Sequence, residues 1–154
     1  MRRPRCGRPD SDGVERRMQR KEFQQLARTR IREAKLLLRS AEFAGAYYLS
    51  GLAVECAIKA CIAKQTRRHD FPDKRRANEA YDHDPVKLAK LAGLYGDILH
   101  DSSIHPPFAK NWTIVKDWNV DSRYKSRTRA DAEALFRAIV AKSHGVFPWL
   151  RRRW

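Results

Sequence analysis

The feature that most constrains the fold is the stretch FAGAYYLSGLAVECAIKACIAK at 43–64, which is apolar on almost every side of a helix. In a soluble protein such a helix must be covered by neighbouring elements over most of its surface. Its longest charge-free run, 43–54, is shorter than the roughly 20 residues that span a bilayer. We therefore expect the central helix of a soluble helical domain, with no membrane partner.

Three further segments have apolar residues at three- and four-residue steps, which is typical of helices with one buried face. The first runs from Phe23 to Leu38. The second starts with Asp84 as N-cap and Pro85 in the first turn, and it continues to about residue 100. The last, TRADAEALFRAIVAKSHG at 128–145, has a capping-box-like start and a glycine stop. No strand pattern competes with these helices.

The pattern predicts an all-α fold, an up-and-down helical bundle of four main helices plus a short extra helix at 109–119. We assign 21–150 to the bundle and 1–20 to a basic, disordered tail, because the tail has almost no apolar residues. Residues 151–154 are predicted to form a basic C-terminal tail. The polar stretch at 65–84 is predicted to be a long exposed connection.

The chain is strongly basic, with 33 Lys and Arg against 18 Asp and Glu and a formal net charge of +15. Residues 1–21 contribute +5 and the run at 151–153 contributes +3, so the body retains +7. Such a charge favours a phosphate-rich partner, RNA or a nucleotide. One alternative is that the basic ends alone bind any polyanion, with steep salt dependence.

Cysteine usage favours a cytoplasmic protein. Cys56 and Cys61 lie five residues apart on one predicted helix, so their side chains point to different faces and cannot easily pair. A reducing compartment fits unpaired cysteines. The N-terminal segment also lacks the apolar stretch of a secretory signal.

One acid, Glu55, and one base, Lys59, interrupt the apolar helix. Their four-residue spacing allows an ion pair, which on an exposed helix would contribute only about 0.2 to 0.5 kcal/mol. In a bundle interior the acid is costly unless it is paired and hydrogen-bonded. Two interpretations stay open, a structural ion pair and a functional site at an interface or groove that binds a nucleotide or nucleic acid.

The sequence around this pair resembles HEPN domains of prokaryotes. The resemblance rests on AYYLSGLAVECAIKA at 46–60, YDHDPVKLAKLAGL at 81–94 and NWTIVKDWNVDSRY at 111–124, after a basic amphipathic helix. It extends over about 22–150.

HEPN domains are helical bundles that are usually dimeric. Many are metal-independent ribonucleases of toxin–antitoxin, defence or RNA-processing systems, and others pair with nucleotidyltransferases without cleaving RNA. The resemblance therefore implies a homodimer that needs no cofactor and acts on or binds RNA. The alternative that it implies is a noncatalytic module that binds a nucleotidyltransferase-type antitoxin partner or a nucleotide.

Cleaving members of that family carry an Arg followed after four to six residues by a His. The His can move a proton at the ribose or leaving oxygen, while the Arg stabilises the phosphate. Arg137 and His144 have this spacing, and on one helix a seven-residue step brings them to nearly the same face. Arg76 and His83 also have it, across the loop before Asp84. An alanine follows each Arg where the family has a polar residue. Each histidine also has a structural alternative: His144 as a C-terminal helix residue favoured by the helix dipole, and His83 as a residue of an N-terminal turn.

A second candidate surface is the stretch SRYKSRTR, which combines Arg123, Lys125 and Arg127 with Tyr124. The basic side chains can contact phosphates, and the ring can stack on one base. The alternative is a solvated run of charge. The histidines of HDSSIH at 100–105 match no strong metal-ligand spacing, so we expect a loop there and no metal site.

Overall fold

The computed structural model describes residues 18–66 and 74–154, and over these ranges the chain forms α-helices and one 3₁₀ helix but no strand. The all-α prediction is therefore confirmed for the described part of the chain. Eight α-helices are present there, more than the five expected: α1 Arg20–Arg39, α2 Phe43–Gln65, α3 Lys74–Glu79, α4 Pro85–Leu91, α5 Tyr95–Ile104, α6 Pro106–Lys116, α7 Arg129–Val140 and α8 Val146–Arg151. The 3₁₀ helix Val120–Tyr124 lies between α6 and α7.

Helices α1 and α2 form an antiparallel hairpin joined by only three residues. Gln19 N donates to Glu22 Oε2 at 2.6 Å where α1 begins, which satisfies one of the amide groups that a helix start leaves free. In the connection, Ala41 adopts a left-handed conformation with φ of 60°. Ala27 and Ala34 are fully buried in α1, and because their side chains are short, the helix packs closely on the core.

Helix α2 is the central helix, as its composition predicts. Thirteen of its 23 residues are buried, and it contacts α1, α4, α7, α8 and the 3₁₀ helix. By length and composition alone α2 could cross a membrane, but 72% of its most apolar window is buried inside the fold. Packing against five neighbours therefore accounts for its apolar surface.

The predicted third helix is divided into α4 and α5. Asp84 caps α4 as expected, because its Oδ1 accepts from Val86 N at 2.8 Å and from Lys87 N at 3.1 Å. The chain then turns at Gly93, whose φ of 70° favours glycine, and α5 follows. Residues 100–104, predicted to be a loop, belong to α5. That prediction was wrong because the chain resumes helical geometry after the glycine.

Helix α7 begins as predicted and ends earlier than predicted. Thr128 Oγ1 accepts from Asp131 N at 3.1 Å, and Asp131 Oδ2 accepts from Thr128 N at 3.1 Å, which confirms the capping box. The helix ends at Val140, where Ala141 becomes extended, and His144 has a φ of 62°. Gly145 therefore does not end this helix but precedes α8.

The two ends of the predicted bundle extend beyond their expected limits. Of residues 151–154, predicted to be a tail, Arg151 belongs to α8 and Trp154 packs on the core at 9% exposure, whereas Arg151 and Arg152 have exposed side chains. The Arg20 guanidinium donates to the Trp154 carbonyl oxygen at 2.6 Å. Of the predicted tail at 1–20, residues 1–17 lie outside the described residues, as do 67–73 of the predicted connection.

Candidate functional site

The acid in the middle of α2 is the centre of a small polar cluster. Glu55 is 4% exposed, and its Oε1 accepts from Lys59 Nζ at 2.7 Å and lies 3.0 Å from His83 Nδ1. Its Oε2 is buried and has no hydrogen-bond partner among the described residues. The predicted pairing of Glu55 with Lys59 is therefore present. His83, predicted separately, is part of the same cluster.

A pair of aspartates fixes His83 in the turn before α4. Asp82 Oδ1 accepts from the backbone N–H groups of His83 at 2.7 Å and Asp84 at 2.9 Å. The amide of Asp84, followed by smaller contributions that include Lys87, lowers the pKa of the Asp82 carboxyl. Because Asp84 in turn caps α4, the sequence Asp-His-Asp-Pro holds the backbone on both sides of the imidazole.

The contact with Glu55 orients the imidazole. A carboxylate that is ionised only accepts hydrogen bonds, so this contact favours the tautomer in which His83 Nδ1 carries the hydrogen and Nε2 is left as an acceptor. About half of the His83 side chain is exposed. A carboxylate that holds an imidazole in one tautomer is the arrangement that makes histidine an effective general base.

Two aromatic side chains, Tyr48 and Trp118, pack on the face of α2 that also carries Glu55. Residues 48, 51 and 55 follow one another at three- and four-residue steps, which places them in a row. The indole of Trp118 lies directly on Gly51, where any Cβ would overlap it, and stacks on Tyr48 with the ring centroids 6.1 Å apart. Gly51 is thus required for the close approach of Trp118.

The structure separates one of the predicted Arg and His pairs and removes the shared helix on which the other pair was predicted. The same-face argument for Arg137 and His144 was wrong, because α7 ends before His144. Arg137 Nε donates to the Glu133 carbonyl oxygen at 3.3 Å, and the His144 ring lies 5.3 Å from that of His105.

The second pair is separated along α2. The Arg76 guanidinium donates to Gln65 Oε1 at 2.6 Å, at the C-terminal end of that helix. His83 contacts Glu55, which lies ten residues earlier and therefore about 15 Å away along the helix axis.

The candidates at the end of the 3₁₀ helix and just after it occupy a separate surface. Arg123, Tyr124 and Lys125 are exposed. Arg127 is half-buried, with its guanidinium 4.0 Å from the ring centroid of Tyr47.

Two features of the site were missed from the sequence. The position of Trp118 over Gly51 was missed, although a glycine inside an apolar helix signals a close approach. The contact between Glu55 and His83, 28 residues apart, has no local signal. In the described ranges, no group of three or more His, Cys, Asp or Glu side chains is placed to hold a metal ion.

Comparison of the chain with protein-family models, with curated proteins and with solved structures found no match. The resemblance to HEPN domains therefore stays a prediction from the sequence.

Proposed function

We propose that the protein is a cytoplasmic, HEPN-like metal-independent endoribonuclease of a toxin–antitoxin or defence type, and that His83 is its acid–base group. The observation that supports this is the 3.0 Å contact between Glu55 Oε1 and His83 Nδ1, with half of the imidazole exposed. The net charge of +15 supports an RNA substrate. A homodimer, implied by the resemblance, is part of the proposal.

The proposed reaction is transesterification within the RNA backbone. His83 Nε2 accepts the proton of a ribose 2′-OH, and the 2′ oxygen attacks the adjacent phosphorus. The bond from phosphorus to the 5′ oxygen breaks, and that oxygen takes a proton from the imidazolium or from water. The products are a 2′,3′-cyclic phosphate and a 5′-hydroxyl. Nearby ammonium groups, Lys59 and Lys87, favour the negative charge that develops on the phosphate.

A second candidate function is a noncatalytic module that binds a nucleotidyltransferase partner or a nucleotide. It is favoured by the separation of Arg76 from His83 and by the end of α7 before His144, because the cleaving arrangement of the family needs the two side chains close together. In this reading Glu55 and Lys59 belong to the partner interface or to the nucleotide groove.

The deciding experiment is incubation of the purified protein with mixed cellular RNA in EDTA. We expect cleavage by the wild type and a loss of about 10²- to 10⁴-fold for His83→Ala. His100→Ala is the matched control, because His100 is exposed on α5. The double variant Arg137→Ala/His144→Ala should retain activity.

Each other outcome is informative. Loss of activity in the double variant alone would transfer the acid–base role to His144. Absence of cleavage by the folded wild type, with RNA or nucleotide still bound, would favour the noncatalytic module.

A further inference from the structure

The segment Arg123–Arg129, which we call the basic ribbon, runs from the last two residues of the 3₁₀ helix to the first residue of α7. Its backbone is extended at Lys125, with φ of −114° and ψ of 139°, and at Thr128, with φ of −77° and ψ of 163°. Every second residue is basic: Arg123, Lys125, Arg127 and Arg129. Arg129 pairs with Glu133 at 3.3 Å, whereas none of the other three forms an ion pair with a described carboxylate.

Aromatic side chains of α2 fix the ribbon in place. The Arg127 guanidinium lies 4.0 Å from the ring centroid of Tyr47, and the Arg129 guanidinium lies 4.9 Å from that of Phe43. Tyr47 is 9% exposed, so the first of these contacts is largely shielded from solvent. Shielded cation–π contacts are stronger than exposed ones. A solvated run of charge would make no such contacts. The two contacts therefore hold the ribbon in a defined conformation before any ligand binds.

Tyr124 is exposed at the start of the ribbon. At 76% exposure it is the most exposed large hydrophobic side chain among the described residues. The Arg123 guanidinium lies 4.8 Å from its ring centroid, which leaves the opposite face of the ring open. An exposed ring beside cations is the usual platform on which unpaired bases stack, because every base has an aromatic face.

The ribbon and His83 are connected by the same helix. Arg127 contacts Tyr47 and His83 contacts Glu55, eight residues later on α2. Eight helical residues span about 12 Å, which is the length of three to four stacked nucleotides at about 3.4 Å each. A single strand of that length is therefore long enough to bridge the two surfaces.

We propose that the basic ribbon is a binding subsite for single-stranded RNA, in which an unpaired base stacks on Tyr124 while Arg123 and Lys125 hold the phosphates and Arg127 positions the ribbon against Tyr47. This inference rests on the proposed function, since it makes the ribbon the surface that delivers RNA to His83. Duplex RNA is excluded from the stacking platform because its bases are already paired and stacked.

The test measures binding separately from cleavage, in a His83→Ala background. The probe is a labelled single-stranded RNA of about 12 nucleotides, within the length that such platforms cover, compared with the same sequence as a duplex. We expect Tyr124→Ala to weaken single-strand binding by about 5- to 100-fold and to leave duplex binding nearly unchanged. Tyr124→Phe should restore binding, because the ring alone stacks.

Charge is tested with a matched pair of exposed lysines. Lys125→Gln should reduce the slope of log affinity against log salt by about one, whereas Lys142→Gln, beyond α7, should not change it. Equal effects of the two lysines, or equal loss of single-strand and duplex binding in Tyr124→Ala, would overturn the subsite in favour of nonspecific polyanion binding.

The two proposals fail in different ways. Tyr124-dependent binding without any cleavage by the protein that retains His83 would overturn the ribonuclease proposal and leave the subsite standing. Cleavage that depends on His83, with binding that is indifferent to Tyr124, would overturn only the subsite.

Discussion

Glu55 and Asp101 are both carboxylates that interact with two side-chain donors, but the donors differ in kind. Asp101 Oδ2, on α5, accepts from Trp149 Nε1 at 2.6 Å and from the Arg153 guanidinium at 3.3 Å. Arg153 also lies 3.5 Å from the centroid of the Trp149 ring. An indole only donates, and a guanidinium stays charged at any ordinary pH. The Asp101 cluster can therefore hold α8 against α5, and neither of the two donors that Asp101 binds exchanges protons near neutral pH.

The cluster around Glu55 contains such a group. One donor, Lys59, is mostly buried, whereas the other, His83, has half of its side chain in solvent. Imidazole is the side chain that most readily changes its protonation state near neutral pH. The comparison shows that a buried carboxylate alone does not indicate function. The titratable partner at the surface distinguishes the two clusters.

Removal of the Glu55 carboxylate is expected to have the largest effect on stability. Glu55→Ala leaves the mostly buried Lys59 ammonium without its partner and should lower the free energy of unfolding by about 3 kcal/mol. The double variant Glu55→Ala/Lys59→Met should recover much of this loss, because no unpaired charge remains. Urea unfolding followed by circular dichroism measures both, and an equal loss in the single and double variants would contradict the pairing.

The helices that carry the two carboxylates, α2 with Glu55 and α5 with Asp101, also differ in whether a glycine on each can accept a methyl group. Gly51→Ala places a Cβ within the Trp118 indole and should destabilise the protein by about 1 to 3 kcal/mol. Gly96→Ala, in α5, meets no atom within 4 Å and should stabilise the helix by up to about 1 kcal/mol. Thermal unfolding of both variants tests this contrast, which would fail if the two substitutions shifted Tm in the same direction.

Acid should reveal the structural role of Asp101. The hydrogen bond from Trp149, followed by smaller effects that include the charge of Arg153, holds the pKa of the Asp101 carboxyl below its ordinary value. Its stabilising contribution is therefore complete above about pH 4 and is lost as the pH falls through the lower folded value. Asp101→Asn should flatten the decrease of Tm between pH 5 and pH 2, within about the range where such groups titrate.

Some decrease of Tm in acid should remain in Asp101→Asn. The pKa values of Asp82 and Asp131 are also lowered, by the backbone amide of Asp84 and by the hydroxyl of Thr128 in the first place. Parallel curves for the wild type and Asp101→Asn would contradict the role given to Asp101.

The smallest effect concerns thiol reactivity. Burial raises the pKa of both Cys56 and Cys61 to about 11. In a Cys6→Ser protein, a disulfide reagent at about pH 8 should therefore label neither thiol until the protein unfolds. Cys6 itself lies outside the described residues. Adding Glu55→Ala to the Cys6→Ser protein should make labelling of Cys56 faster. Fast labelling of the native Cys6→Ser protein would contradict the burial of the two thiols.

Much of the fold could be predicted because its signals are local. Asp84 and the pair Thr128 and Asp131 cap their helices through hydrogen bonds that reach no further than three residues. The central place of α2 followed from its composition.

The sequence predicted a helix weakened at Gly93 rather than divided there, because the apolar pattern continues from Leu91 to Ile98. The end of α7 at Val140 was missed, although its apolar pattern stops at that residue, because Gly145 predicts a later stop.

The sequence by itself determined the all-α class, the caps, the central helix and the presence of an acid that needed partners. Only the tertiary structure decided which partners meet, because side chains far apart in sequence come together through the packing of the whole core. His83 reaches Glu55 across 28 residues, and Trp149 reaches Asp101 across 48. The same reason explains the end of the chain, where a run of arginines predicts a tail but burial of Trp154 holds it on the core.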